Sequence, residues 1–182
     1  PRDEEDKFAI LPYFWIPEDT LELRVRRDHV PYDVWERQGF LQTTEGNVVH
    51  YGYIEKFIEH LGERFNIRAI AFDRWGAVQM VQNLEGMGFT VVPFGQGFKD
   101  VSPPTKELMK LVLEQKIAHS GHPVLRWMMD NIYIRTDPAG NIKADKAKST
   151  EKIDGAIATI MALDRAIRCG NITSTSVYDT RG

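Results

Sequence analysis

One stretch constrains the fold more than any other: Ile67-Arg68-Ala69-Ile70-Ala71-Phe72-Asp73-Arg74-Trp75-Gly76, an apolar run that ends abruptly on a carboxylate. A short apolar run bounded by a polar residue and a glycine reads as a buried strand. Helical patterns flank it. Tyr51 to Phe65 carries Ile54, Phe57, Ile58, Leu61 and Phe65 along one helix face, and Ala77 to Met87 carries Val78, Val81 and Leu84 before the stop at Gly86 and Gly88. Phe89 to Phe94 then reads as the next strand. Helix, strand, helix, strand in that order predicts parallel strands joined by right-handed crossovers, an α/β chain. Open α/β sheets bind ligands beyond the carboxyl ends of their strands, which is where Asp73 stands. Asp is also a favoured cap for a following helix, and the pattern leaves both readings open.

The rest of the chain fits around this unit. Phe8 to Ile16 reads as a strand, with Pro12 marking an edge or a bulge. Thr20 to Asp28 has helical spacing, with Arg24, Arg26 and Arg27 on the outside as a solvated face or a phosphate contact, and Pro31 to Gln38 adds a short helical turn. Gly95-Gln96-Gly97 lacks the further residues of a phosphate loop and reads as a flexible connection. Ser102-Pro103-Pro104 predicts a helix start, a capping hydroxyl followed by proline in the first turn. His119 and His122 lie in the loop after that helix, without acidic or cysteine partners at ligand spacing, and read as loop hydrogen-bonders. Val124 to Met129 reads as core. Asn131 to Arg135, the turn cluster Asp137-Pro138-Ala139-Gly140-Asn141 and Ile142 predict a β-hairpin. Ser149 is placed to cap a long helix from Thr150 to about Arg168, and Gly170 to Gly182 reads as a loosely held tail.

Composition narrows the function. A length of 182 residues with 42% apolar residues suits one domain. The net charge of −3 excludes a broadly basic surface, so any nucleic-acid contact must be local. The single Cys169 excludes an internal disulfide and a multi-cysteine zinc site, fits a reducing compartment, and reads as helix packing. No apolar run approaches a membrane span and nothing at the start resembles a signal peptide, which points to the cytosol.

Two carboxylates stand out for position: Asp73 at a strand end and Asp154 near the start of a largely apolar helix. Acids on rigid elements that share a cleft suit a hard divalent cation such as Mg²⁺, which takes oxygen ligands and keeps waters for substrate phosphates. Two such ions about 3.5–4 Å apart activate a water and stabilise the leaving oxygen of a phosphodiester. The bland alternative makes Asp154 a favourable first-turn acid and Asp73 a cap.

The strings Ala71-Phe72-Asp73-Arg74-Trp75, Val92-Pro93-Phe94-Gly95-Gln96-Gly97-Phe98, Ser102-Pro103-Pro104-Thr105-Lys106-Glu107-Leu108, Pro123-Val124-Leu125-Arg126-Trp127 and Lys148-Ser149-Thr150-Glu151-Lys152-Ile153-Asp154-Gly155 resemble, in order, the C-terminal nuclease domain of tailed-phage large terminase subunits. The resemblance runs from about Phe8 to Tyr178. It implies an RNase H-like mixed sheet flanked by helices, presenting acids to two Mg²⁺ or Mn²⁺ ions that cut double-stranded viral DNA during genome packaging in the host cell cytoplasm. Asp73 matches the family's second acid and Asp154 the acid on the closing helix. Lys143, Lys146, Lys148 and Lys152 look suited to DNA phosphates. The implied partners are DNA, the terminase ATPase domain, the small terminase subunit and the portal.

The chain also departs from that pattern. The family's first metal-binding Asp lies on a first strand expected ahead of Pro1, and none of Asp3, Glu4, Glu5 or Asp6 fits its motif. No ATPase Gly-Lys-Ser/Thr loop is present, so the chain is expected to be the nuclease part of a larger subunit. His50, in Val48-Val49-His50-Tyr51, stands where the family pattern leads one to expect an acid. With the acid cluster incomplete, a non-cleaving module that binds DNA or a motor partner is the alternative. Another RNase H-like nuclease, such as a junction resolvase or transposase core, is a further one that the Ser102 and Lys148 strings oppose.

Overall fold

The computed structural model describes residues 1–73 and 78–170. The central expectation holds. β4 (Ile70–Asp73) and β5 (Val91–Phe94) run parallel with Asp73 opposite Phe94, and α4 (Val78–Gly86) lies between them in sequence. α3 (Tyr51–Arg64) precedes β4, and Asn83 of α4 donates to the Glu55 carboxylate of α3 at 3.0 Å, joining the two helices. Residues 74–77, the end of the apolar run and the start of the following helix as read from sequence, lie outside the described residues, as do 171–182 of the expected tail.

The strand expected over Phe8 to Ile16 is two strands. β1 (Phe8–Ala9) pairs in parallel with β6 (Ile117–Ala118), and β2 (Trp15–Pro17) pairs in parallel with β3 (Gln42–Thr44). Pro12 between them has no amide to give to a ladder, and each half takes a different partner. Neither β3 nor β6 was legible, because runs of two or three residues carry no periodicity. A short 3-10 turn (Glu18–Thr20), α1 (Leu21–Asp28) and α2 (Tyr32–Arg37) follow β2. The three arginines of α1 are locally engaged: Arg24 Nε donates to Thr20 Oγ1 at 3.0 Å, Arg26 pairs with Glu22 at 3.3 Å, and Arg27 with Asp28 at 2.6 Å.

α5 (Phe98–Leu113) begins a turn earlier than the Ser102 signal indicates. The Gly97 carbonyl accepts the amides of Asp100 at 3.1 Å and Val101 at 3.0 Å, so Pro103 and Pro104 fall inside the helix and Ser102 is not its cap. Ser102 is buried instead, and its Oγ accepts the amide of Ile142 at 3.0 Å. That bond fastens the expected hairpin, antiparallel β7 (Ile134–Thr136) and β8 (Ile142–Ala144), against α5. The final helix is shorter than expected: α7 (Asp154–Cys169) starts at Asp154 rather than Thr150. Ser149 donates from Oγ to the Asp145 carbonyl at 2.7 Å and accepts the Tyr133 amide at 3.2 Å, so its hydroxyl belongs to the preceding turn.

By hydrogen bonding, the strands of the described residues form four two-stranded pieces, three parallel and one antiparallel, rather than a single mixed sheet. Helices supply the continuity. α7 packs on α5, on α6 (Pro123–Asp130) and on β4, and the largest core cluster joins Phe94, Val101, Leu108, Leu111, Ile160, Met161 and Leu163. A second cluster gathers Ile16, Val30, Tyr32, Trp35, Leu41 and Val124 beneath α1 and α2. His119 and His122 act as expected: their Nδ1 atoms accept the amides of Gly121 at 3.2 Å and Leu125 at 3.4 Å, the latter capping α6. Burial holds the His122 imidazole below the usual histidine range, in keeping with the neutral ring that an amide acceptor must be. Cys169 is half-buried at the end of α7. No helix among the described residues is long and apolar enough to cross a membrane.

Candidate functional site

Asp73 is the last residue of β4, half-buried, at the carboxyl end of the parallel β4–β5 pair. Asp154 is the first residue of α7, the helix that packs on that strand. Its carboxylate is 63% exposed and lies at the helix N-terminus, where a negative charge is favoured by the helix dipole. Asp154 holds this position because its neighbours are clamped: Ile153 and Ala156 are buried in a small cluster with Ala144, and Gly155 touches the rest of the core directly. The Gly155 amide donates to Met128 Sδ at 3.0 Å, and a Cβ at this position would lie 2.6 Å from a Phe14 ring carbon. Only glycine brings the start of α7 this close to Phe14 and α6.

The four lysines read as a group separate in space. Lys143 on β8 is half-buried, with Nζ 3.5 Å from the Gln96 carbonyl and 5.1 Å from the Phe98 ring centroid. Gln96 follows β5 closely and its amide reaches Met161 of α7 at 3.8 Å, so Lys143 stands at the carboxyl end of the β4–β5 pair, the end Asp73 occupies. Lys146 pairs with Asp154, Nζ to Oδ1 at 2.7 Å. Lys148 lies over the Tyr133 ring at 5.4 Å. Lys152 is set toward α1: the Asp28 carboxyl is held below the usual range chiefly by the Arg27 hydrogen bond, against burial, with help from the Tyr32 hydroxyl and from the charges of Arg27 and Lys152. His50, exposed, takes the N-cap position of α3 without a side-chain capping bond.

Two residues enter the site that the sequence reading did not single out. Phe98 carries Lys143 and Arg135 over its ring, the latter at 5.7 Å. Asp145 organises the turn that bears Lys146, with Oδ1 accepting the amides of Ala147 at 3.0 Å and Lys148 at 3.3 Å. An Asp followed at short range by Lys, Ala and Ser is an Asx-turn signal, and it was legible in principle. Among the described residues, no three His, Cys, Asp or Glu side chains converge as a metal-binding group. Asp73 and Asp154 thus offer hard carboxylate oxygens on two elements that pack together, with the Lys146 ammonium beside Asp154, and such donors suit a divalent cation.

Residues 2–169 match the family model for the terminase large subunit, endonuclease domain. The chain is 40% identical over 165 residues to the terminase large subunit of Enterobacteria phage HK97, a match that covers 90% of this chain and 33% of that protein. The crystal structure of the HK97 bacteriophage large terminase superposes with a TM-score of 0.83 at 38% identity, over 91% of this chain and 35% of that one. Crystal structures of the large terminase nuclease from thermophilic phage G20c, with bound cobalt and with bound magnesium, share the fold at TM-scores of 0.51. Their identities are 14% and 15%, over 66% and 65% of this chain and 64% of each of theirs. The chain thus spans about a third of the length of the HK97 relative it matches.

Proposed function

Because the chain belongs to the family of terminase large-subunit endonuclease domains, we propose that it cleaves double-stranded viral DNA during genome packaging, with Mg²⁺ or Mn²⁺ held by Asp73 and Asp154. The observation that carries this reading is that Asp73 closes β4 and Asp154 opens α7, the helix packed on that strand. The donor set fits the metal. Mg²⁺ is commonly bound through one or two carboxylates, with waters and substrate phosphates completing its shell. The G20c nuclease has been crystallised with cobalt and with magnesium, which supports divalent-metal use here. Bound ions, two in this reading, supply an activated water and stabilise the leaving oxygen.

The chain's own residues bind and orient. Asp73 and Asp154 present oxygen ligands from elements fixed by the core. Lys143, held beside Gln96 and Phe98, contacts a DNA phosphate, and Lys146 and Lys148 extend that contact along the hairpin side. Lys152, set toward α1, makes a separate contact. The reading includes an RNase H-like arrangement of the strands, a third acid on a strand upstream of Pro1, and work within a larger subunit in the host cell cytoplasm. There the ATPase domain, the small terminase subunit and the portal are its partners.

The test is plasmid cleavage in Mn²⁺ or Mg²⁺ by the chain and by a version carrying its upstream sequence. The longer version cuts and the shorter one cuts poorly. Asp73→Ala or Asp154→Ala in the longer version lowers the rate by more than about a hundredfold, as loss of a metal ligand should, with thermal melting unchanged. A variant that still cuts at full rate removes that acid from the site. A longer version that binds DNA without cutting moves the assignment to a binding module.

A further inference from the structure

We propose that Lys146 is a stand-in for the cation at Asp154: it neutralises the carboxylate while no metal is bound, and a metal that enters releases it toward the substrate phosphate. The inference rests on the reading of Asp154 as a metal ligand. Lys146, rather than Lys143 or Lys148, reaches that carboxylate, Nζ to Oδ1 at 2.7 Å.

The contact is built rather than incidental, because the residue before Lys146 is tied down on every side. The Asp145 side chain is only 12% exposed, 3.8 Å from Arg135, and accepts the Ala147 and Lys148 amides. Its own amide donates to the Tyr133 carbonyl at 2.9 Å, and its carbonyl accepts the Ser149 amide at 2.9 Å and the Ser149 hydroxyl at 2.7 Å. Lys146 therefore leaves a fixed backbone on a flexible four-carbon stem. Its Cα is held beside the start of α7 while its ammonium is free to move.

The exchange has a definite direction. An ion pair between side chains 60% and 63% exposed is weak, since water screens it and two chains must be ordered to form it. A divalent cation brings twice the charge to the same oxygens and repels the ammonium it displaces. Released, a compact ammonium is suited to a phosphate as a point charge. Lys146 thus prevents Asp154 from standing as a bare carboxylate beside incoming DNA, and delivers its positive charge only once a metal is in place.

Calorimetric titration of Mn²⁺ into the version carrying the upstream sequence, the parent here because it includes the third acid of the proposed site, tests this directly. Lys146→Met, which keeps the stem and removes the charge, binds Mn²⁺ about two- to fivefold more tightly, the range expected for loss of an exposed ion pair. Lys146→Arg returns the affinity toward that of the parent. In the parent, Mn²⁺ increases acetylation of Lys146 by acetic anhydride at least about twofold, within the range set by loss of an exposed ion pair, while that of Lys148 stays constant, because a head group held against a carboxylate is less open to the reagent. Unchanged or weaker Mn²⁺ binding by Lys146→Met, or labelling of Lys146 that ignores Mn²⁺, overturns the inference. Asp154→Asn tells the two failures apart. If it loses Mn²⁺ while Lys146→Met binds as the parent does, only the stand-in role falls. If Asp154→Asn binds Mn²⁺ like the parent, or the parent binds none, the ligand role of Asp154 falls and the inference with it.

Discussion

At Gly155 the absence of a side chain sets the position of the acid beside it. A Cβ there would meet Phe14 at 2.6 and 2.8 Å and Met128 Sδ at 2.9 Å, closer than real Cβ contacts come. Gly155→Ala gains up to about 1 kcal/mol of helix propensity. It forces a repacking that costs about 1–3 kcal/mol, so a lower urea midpoint is expected; a midpoint that does not fall would show that Phe14 and Met128 give way freely. Asp154 was legible as an acid at the start of an apolar helix, and Asp73 as an acid at the end of an apolar run, because both rest on local periodicity. The partnership of Asp154 with Lys146 was not legible. It depends on how an Asx turn folds eight residues of chain back on themselves, and the same sequence spacing permits many geometries.

Helices were easier to read than their beginnings. The stripes of α3, α4 and α7 are long enough to show a period, whereas α6 was legible only as core, the start of α5 is set by the Gly97 carbonyl and that of α7 by the burial of Ile153. Ser102 and Ser149 were each read as caps from their residue type, and each serves instead to tie the β7–β8 hairpin region to its surroundings. Ser102→Ala tests this at the level of the element. It leaves the Ile142 amide without its partner at a site where Ser102 is 2% exposed, and an unsatisfied buried donor costs about 1–3 kcal/mol. The expected result is a lower global unfolding midpoint together with faster hydrogen exchange at Ile142. A midpoint loss with Ile142 still protected would mean that the hairpin does not depend on this bond. The strands that escaped notice, β3 and β6, are short and fixed only by distant partners.

Across the whole molecule the net charge is −3, so the proposed DNA contact has to be local rather than general. Lys143 and Lys148 lie on the hairpin side, while Lys152 is set toward α1. Measured without divalent metal, where the proposed reaction does not run, the dependence of log Kd on log salt should weaken by about 2 when Lys143 and Lys148 are both replaced by Ala. Lys152→Ala should change it less; an equal change would place the DNA across both regions. The parallel pairing of β1 with β6 sets Phe8 opposite Ile117, about a hundred residues further along the chain. At a synthesis rate of about 5–20 residues per second, the start of the chain waits roughly 5–20 s on the ribosome before its partner exists. The segment around Phe8 and Ala9 lacks its β6 partner throughout that delay, whereas Trp15 meets its own partner, Gln42 of β3, much sooner. This is the interval in which a nascent chain is most exposed to aggregation, and in which a chaperone would have most to protect.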